Sequence, residues 1–399
     1  MKSPYQSLRD LQHFGEEGGV VPVIDVASTS TFLDPADMGR AFHGELPGCY
    51  LYSRHSNPSV KAFGQKLAAL EGGEAGLGVA SGMAAISAAI DQLVPAGGHI
   101  VASRVVYGGT YALFANLLPR RGVTVSFVDM DDLAAVEKAI RPETRVLYTE
   151  TMSNPLLNVA DLAALAKIKA KHRQLSLVVD NTFAPVLVRP LTMGADVVVH
   201  SATKYISGAS DMICGALVGS REFIDSLIDV NHGSVMLTGP VMDPRIAHEL
   251  YLRLDHLPVR MKAHGEAALH LARGLQKRKI NVIYPGLESH PHHARLRSMG
   301  ATEWGFGAMM AVDCGNLADT LKLSKRLQEI KFGLYAVSLG FSRTLMSCPS
   351  VSTSSEIPEA EQKAMKLEPG LLRLSIGYVG DPEVMLERFL QAWDEVFKK

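Results

Sequence analysis

Cysteine is scarce: Cys49, Cys214, Cys314 and Cys348 are the only four in 399 residues, and no two form a C-x-x-C pair. That spacing excludes a zinc ribbon or a disulfide framework, and the four thiols read as ordinary buried side chains in a reducing compartment. A charge excess is missing too, since 40 basic residues against 41 acidic ones leave a net charge of -1. With no basic footprint for a nucleic-acid backbone, any phosphate held by this chain belongs to a small molecule. Long apolar runs are also lacking. The longest uncharged stretch, Ala75 to Ile90, spans sixteen residues interrupted by three glycines and two serines, which is shorter than a bilayer requires. The opening segment, MKSPYQSLRDLQHFGEEGG, carries acids where a secretory signal needs an apolar run, so no export sequence and a cytoplasmic location are expected.

What is present is enough for a large core. Apolar residues make up 47% and charged residues 20%, a globular composition, and the length favours two packed domains. From about residue 75 to 220, short β-branched runs alternate with helical stretches: LGVA (77–80), HIVAS (99–103), VTVSFV (123–128), RVLYT (145–149), LSLVVD (175–180), ADVVVHS (195–201) and GALVGS (215–220). Segments such as 131–140 and 159–170, with apolar residues at helical spacing, lie between them. Runs that are apolar throughout indicate a mainly parallel sheet of about seven strands covered by helices on both faces. Residues 1–56, rich in Gly, Pro, Ser and Thr, read as an arm that packs on something else. Residues 57–250 form the α/β domain. Residues 251–399, entered through a long helical pattern at 246–277 and closing with a helix from Asp381, form a smaller α+β domain.

Four features of the α/β domain could carry chemistry. Asp180 ends a buried strand, where α/β folds place ligands; it reads either as a turn or N-cap residue or as the acceptor for a protonated ring nitrogen. Lys204 follows the next buried strand in Ser201-Ala202-Thr203-Lys204, a setting in which desolvation frees an amine for Schiff-base chemistry. The same S-x-x-K spacing also occurs in serine acyl-transferases, with Ser201 as nucleophile. Upstream, strand LGVA breaks at Ser81-Gly82-Met83 into a helix whose N-terminus suits an anion, although neither G-K-[ST] nor G-x-G-x-x-G is present to specify a nucleotide. Tyr107, in VYGGT, could lie over a flat ligand. A phosphate cradle, an aromatic plate, an acid for a pyridinium and an activated lysine are together the parts that hold pyridoxal 5'-phosphate.

The series YSRHSNPS (52–59), ASGMAA, VYGGTY, ETMSNP (150–155), VVDNTF (178–183), HSATKYISG (200–208), AVSLG (336–340) and LLRLSIG (371–377) resembles the Cys/Met-metabolism family of pyridoxal-phosphate enzymes along essentially the whole chain. The resemblance implies the aspartate aminotransferase-like fold of PLP-dependent transferases. It also implies pyridoxal 5'-phosphate as cofactor, a small sulfur amino acid as substrate, and a homotetramer of two dimers that share active sites. Residue by residue, it implies that Lys204 bonds the cofactor and later shuttles protons, that Asp180 meets the pyridine nitrogen, and that Tyr107 stacks on the ring and acts as acid or base. Gly82, Met83, Ser201 and Thr203 would hold the phosphate, with Tyr52 and Arg54 reaching the phosphate in the neighbouring subunit. Asn154 would lie near the ring oxygen and the substrate carboxylate, which Arg373 grips with help from the backbone at Ser338.

The sequence also departs from the family. Methionine γ-lyases carry a cysteine where Gly109 stands and a Lys-Asp pair where Val235-Met236 stand. The family's Gly-His after the lysine is Gly208-Ala209, and an acid usual after LSIG is Tyr378. Val337 stands where many γ-lyases acting on cystathionine carry an acid and some β-lyases carry an apolar residue. These features tilt the expectation toward a carbon-sulfur lyase acting on cystathionine or a related amino acid, with β- or γ-elimination open. The alternatives are a γ-replacement enzyme (a cystathionine γ-synthase or O-acyl-homoserine sulfhydrylase) and a methionine γ-lyase. His290, His292 and His293 lack metal-ligand spacing and read as solvated loop residues, so no metal is expected.

Overall fold

A computed structural model describes residues 3–11, 20–42, 45–46, 48–300 and 303–398. Seven strands, β1 (Ala75–Val79), β2 (His99–Ser103), β3 (Thr124–Val128), β4 (Thr144–Glu150), β5 (Ser176–Asp180), β6 (Val197–His200) and β7 (Gly215–Gly219), form one sheet in the order β1-β7-β6-β5-β4-β2-β3. Each strand falls on one of the apolar runs. Pairing is parallel from β3 through β2, β4 and β5 to β6, whereas β7 runs antiparallel to both β6 and β1. The sequence pattern does not reveal this reversal, but the connection explains it: residues 201–214 are turns and bends, not the crossover helix a parallel return needs. The carboxyl ends of β1, β4, β5 and β6 therefore share one edge.

The central strands carry unbroken apolar runs, such as Leu177 to Val179 and Val197 to Val199, because successive residues enter two different cores. Leu177, Val179 and Val198 pack with Phe63, Leu67 and Leu70 of the helix Pro58–Glu71. Val178, Val197 and Val199 pack with Ile86 and Ile90 of the helix Gly82–Leu93 on the other face. Each such side chain contributes about 1.5–3 kcal/mol by leaving water. Both helices have clear sequence-encoded starts. The Asn57 side-chain oxygen accepts from the Ser59 N–H at 2.9 Å ahead of Pro58, and the Ser81 hydroxyl accepts from the Ala84 N–H at 3.0 Å.

The C-terminal part holds β8 (Val282–Ile283), β9 (Met309–Asp313), β10 (Leu334–Tyr335), β11 (Leu345–Ser347) and β12 (Leu371–Ser375), a five-stranded sheet in the order β10-β11-β12-β9-β8. Asp381 caps the last helix, Pro382–Phe397. The helical pattern at 246–277 is two helices, Pro244–Asp255 and Leu257–Lys277. The break falls where Pro258 has no N–H to donate into a continuous ladder.

Two further expectations are corrected. Cys49 is exposed, whereas Cys214, Cys314 and Cys348 are buried. The histidines of 290–293 are engaged rather than solvated. His292 Nδ1 accepts from the Val159 N–H at 2.9 Å and its Nε2 faces Asp131 at 3.2 Å. His293 Nδ1 meets the Pro285 carbonyl at 2.9 Å, and burial pushes His290 down to about 4. Residues 12–19 of the expected arm lie outside the described residues. Its stretch from Val20 to Leu33 includes the exposed Val20, Val23 and Leu33, and is tied down where the Asp25 N–H donates to Ser59 Oγ at 2.9 Å. Among the described residues no helix is long and apolar enough to cross a membrane.

Helix Pro58–Glu71 touches β1 backbone to backbone, because a Cβ at Gly64 would strike the Gly76 carbonyl oxygen. Gly64→Ala is expected to destabilise the protein by about 1–3 kcal/mol through overpacking, read as a fall in Tm. An unchanged Tm would show that the helix does not rest on the strand.

Candidate active site

Parallel register places two carboxyl groups side by side, since Glu150 at the end of β4 pairs with Asp180 at the end of β5. Asp180 Oδ1 accepts from the Thr182 N–H at 2.9 Å, and Thr182 Oγ1 accepts from the Ser201 N–H at 2.8 Å, tying the ends of β5 and β6 together. Burial pushes both carboxyls above the usual carboxylate range, and the Asp180 charge adds to the effect on Glu150. Bonds from Thr182 oppose the shift at Asp180, and the N–H groups of Tyr107 and Asn154 oppose it at Glu150.

Lys204 lies on the turns that follow β6, with Nζ donating to Ser338 Oγ at 3.1 Å. Burial first, and the nearby Arg373 guanidinium second, hold its ammonium below the ordinary lysine value of 10.5. Arg373, 2% exposed, comes from β12 of the small sheet. Its Nη1 donates to Asn154 Oδ1 at 3.1 Å and its Nη2 to the Ser338 carbonyl at 3.3 Å. Burial lowers it to about 10, which leaves it charged at neutral pH.

The helix Gly82–Leu93 starts directly against the β6 end: a Cβ on Gly82 would lie 2.6 Å from Ser201 Cβ and 2.9 Å from Ser201 Oγ. The backbone approaches this closely only because residue 82 has no side chain. The first N–H groups of the helix and its positive dipole end then sit beside a serine hydroxyl, an arrangement that binds anions. The Thr203 hydroxyl donates to the Cys214 carbonyl at 3.0 Å and accepts from the Cys214 N–H at 2.9 Å, so its proton braces the turn. Tyr107 stands at the rim, 39% exposed. Its ring covers Gly109, where a Cβ would lie 2.5 Å from Tyr107 Cε1.

These groups line a cavity of about 270 Å³. Gly82, Met83, Tyr107, Asn154, Asp180, Ser201, Thr203, Lys204, Ser338 and Arg373 all border it. Tyr52 and Arg54 do not. Arg54 Nη1 donates to the Met236 carbonyl at 2.6 Å, and its guanidinium sits 5.5 Å from the centre of the exposed Tyr52 ring. Sequence reading overlooked Glu150, although the argument that singled out Asp180, a carboxylate closing a buried strand, applies to it equally.

A family profile described as "Cys/Met metabolism PLP-dependent enzyme" matches residues 8–392. The chain is 43% identical over 397 residues to a methionine gamma-lyase of Arabidopsis thaliana, covering 98% of this chain and 90% of the relative. It is 38% identical over 385 residues to a cystathionine gamma-lyase of Bacillus subtilis, covering 96% of each. Among solved structures, an O-acetylhomoserine (thiol)-lyase of Campylobacter jejuni, carrying N'-pyridoxyl-lysine-5'-monophosphate, superposes with a TM-score of 0.89 at 27% identity and covers 98% of this chain and 99% of that one.

The residues present fit pyridoxal phosphate. The Gly82 cradle that a Cβ would fill suits the phosphate, the buried Asp180 carboxyl suits a protonated ring nitrogen, and the desolvated Lys204 amine suits the aldehyde. Gly82→Ala is therefore expected to raise the cofactor dissociation constant by about ten-fold or more, on the order of 1.4 kcal/mol, in a titration of cofactor-free protein. Unchanged affinity would remove the helix start from the phosphate site.

Proposed function

The chain belongs to the Cys/Met metabolism family of PLP-dependent enzymes, and from that premise we propose that it is a carbon-sulfur lyase that expels a thiol from the γ-carbon of methionine or a close analogue. The observation that carries the reading is the division of charge in the cavity. Among its described lining residues the bases are Lys204 and Arg373 and the acids are Asp180 and Glu150, while the remaining wall includes Met152, Phe183, Ile213, Val337 and Leu339. One buried guanidinium suits the one carboxylate of the amino acid, and the apolar wall suits a short thioether. Identity to a methionine gamma-lyase points the same way. A second reading, cystathionine, draws support from the exposed Glu356, whose charge reaches Tyr107 and which could accept a distal ammonium.

When bound, pyridoxal phosphate supplies an aldehyde for amines and a ring that draws electrons from the substrate α-carbon. This chain's residues then divide the work. Gly82, Met83, Ser201 and Thr203 would hold the phosphate, and Asp180 would keep the ring nitrogen protonated. Arg373, oriented by Asn154 Oδ1 and the Ser338 carbonyl, takes the substrate carboxylate bidentately. The Lys204 amine removes the α-proton and then moves a proton from Cβ, its neutral form favoured by burial and by Arg373. Burial and the neighbouring Glu356 keep the Tyr107 hydroxyl protonated, so it can donate to the departing sulfur. Water then completes release of 2-oxobutyrate and ammonia. The exposed apolar arm, with Tyr52 and Arg54 outside this chain's own cavity, supports sites shared between subunits in a homotetramer. A cytoplasmic location accords with the four free cysteines.

Purified enzyme given L-methionine should yield 2-oxobutyrate and a thiol, and Lys204→Ala should abolish this. 2-Oxobutyrate from cystathionine but not from methionine would favour the second reading, and pyruvate from cystathionine would indicate β-cleavage. A pH dependence follows from the depressed Lys204 value. The neutral amine that condenses with the aldehyde is present at lower pH than in a free lysine, so cofactor uptake by cofactor-free protein should rise through a midpoint below 10.5. Arg373→Met, by removing the second cause, should move that midpoint upward; no movement would show that Arg373 does not act on the amine.

A further inference from the structure

We infer that Glu150 is a positioning residue that sets Tyr107 and Asn154, and through Asn154 the substrate-binding Arg373, at their working separation; this rests on the functional reading above. The two carboxylate oxygens are spent on two different segments. Oε1 accepts from the Tyr107 N–H at 2.7 Å, and Oε2 accepts from the Asn154 N–H at 2.9 Å. Neither donor lies in a regular ladder: Tyr107 precedes the short helix Gly108–Ala112, and Asn154 sits in the turn after β4. Asn154 Oδ1 in turn accepts from Arg373 Nη1 at 3.1 Å. A continuous chain of bonds thus runs from the rim aromatic to the guanidinium, with Glu150 at its centre. Glu150 is 6% exposed and pairs across the strands with the half-buried Asp180. A glutamine of the same shape has one acceptor oxygen, so it would satisfy one of the two N–H groups and turn a donor toward the other. Two acceptors on one rigid strand end are what the geometry requires; the carboxyl provides both oxygens, and the two N–H bonds favour its ionised form against the desolvation that pushes it up to about 8.

The test uses the holoenzyme and its cofactor-free form, in parent, Glu150→Gln, Asn154→Ala and double-variant versions. Glu150→Gln is expected to lower kcat/KM by about ten-fold or more, mainly through KM, since misplaced binding groups act at this scale. It should also weaken cofactor binding to the cofactor-free protein, read by fluorescence titration, by about three-fold or more. Because Glu150 acts through Asn154, the double variant should have a KM within about two-fold of Asn154→Ala alone. Parent-like KM and cofactor affinity in Glu150→Gln, or KM effects that multiply in the double variant, would overturn the role. If Glu150→Gln does not fold, Glu150→Asp, which keeps the charge and shortens the reach, carries the same expectation. A parent inactive on every sulfur amino acid would instead sink the functional reading, and the cofactor titration would still report on Glu150.

Discussion

Four ionisable side chains share one small cavity, and each is met by a neutral partner instead of by another of the four. Lys204 donates to a serine hydroxyl, Arg373 to an amide oxygen and a carbonyl, Asp180 accepts from the Thr182 N–H, and Glu150 accepts from two backbone N–H groups. An internal lysine-carboxylate bridge would satisfy both ends and silence both. Neutral partners hold the groups in place while leaving the Arg373 and Asp180 charges to be answered by an ionic ligand and the Lys204 amine free to react, and in a low-dielectric cavity that preference is strong. The arrangement costs stability, because desolvation moves Asp180 and Glu150 up and Lys204 and Arg373 down. Such opposed shifts in one cleft are characteristic of functional sites.

A site of this kind needs a frame that cannot relax to neutralise it. The sheet supplies one: β4, β5 and β6 are central, buried on both faces, and fixed in register by the two cores. The carboxyl ends cannot shift without moving residues such as Val178 and Val179 out of their separate layers, since a slip of one position exchanges the faces. The functional side chains are therefore placed by strand geometry, with turns adding only the last few residues to Lys204 and Asn154.

Much of this was legible in the sequence because it is written in local chemistry. The seven runs marked the strands, Ser81 marked a helix start, and Asp180 and Lys204 stood at strand ends where a buried charge is informative. What stayed hidden depends on distant partners. The reversal of β7 is set by the course of 201–214, which has no periodicity to read. The histidines at 290–293 look like solvated loop residues until Val159, Asp131 and Pro285 fold against them. Glu150 passes as the polar end of a strand until Tyr107 and Asn154 deliver their N–H groups. Gly109 reads as a missing side chain in sequence but as space for the Tyr107 ring in three dimensions.

The departures at 209 and 378 lie away from the cavity wall, and the second belongs to the device that joins the two halves of the site. Ala209 is exposed. Arg260 and His264 are one helical turn apart on the helix Leu257–Lys277, so they project from one face. Arg260 Nη2 donates to the Ile206 carbonyl at 2.9 Å, and its Nη1 also donates to the Tyr205 carbonyl, which fixes the segment that carries Lys204. Gly208, at φ 73, leaves room for that guanidinium, as any Cβ there would strike it. His264 Nδ1 donates to the Ile376 carbonyl at 2.6 Å, just beyond the strand that carries Arg373; burial pushes the imidazole down to about 4, so the ring is neutral and the donor is a fixed tautomer. Tyr205 and Tyr378 pack edge-on against that imidazole at 5.3 and 4.7 Å. A single helical turn thus spans the anchors of Lys204 and Arg373, one from each sheet. The tyrosine at 378 adds a ring contact to the clamp, where an acid would instead offer the buried Arg260 an ion pair.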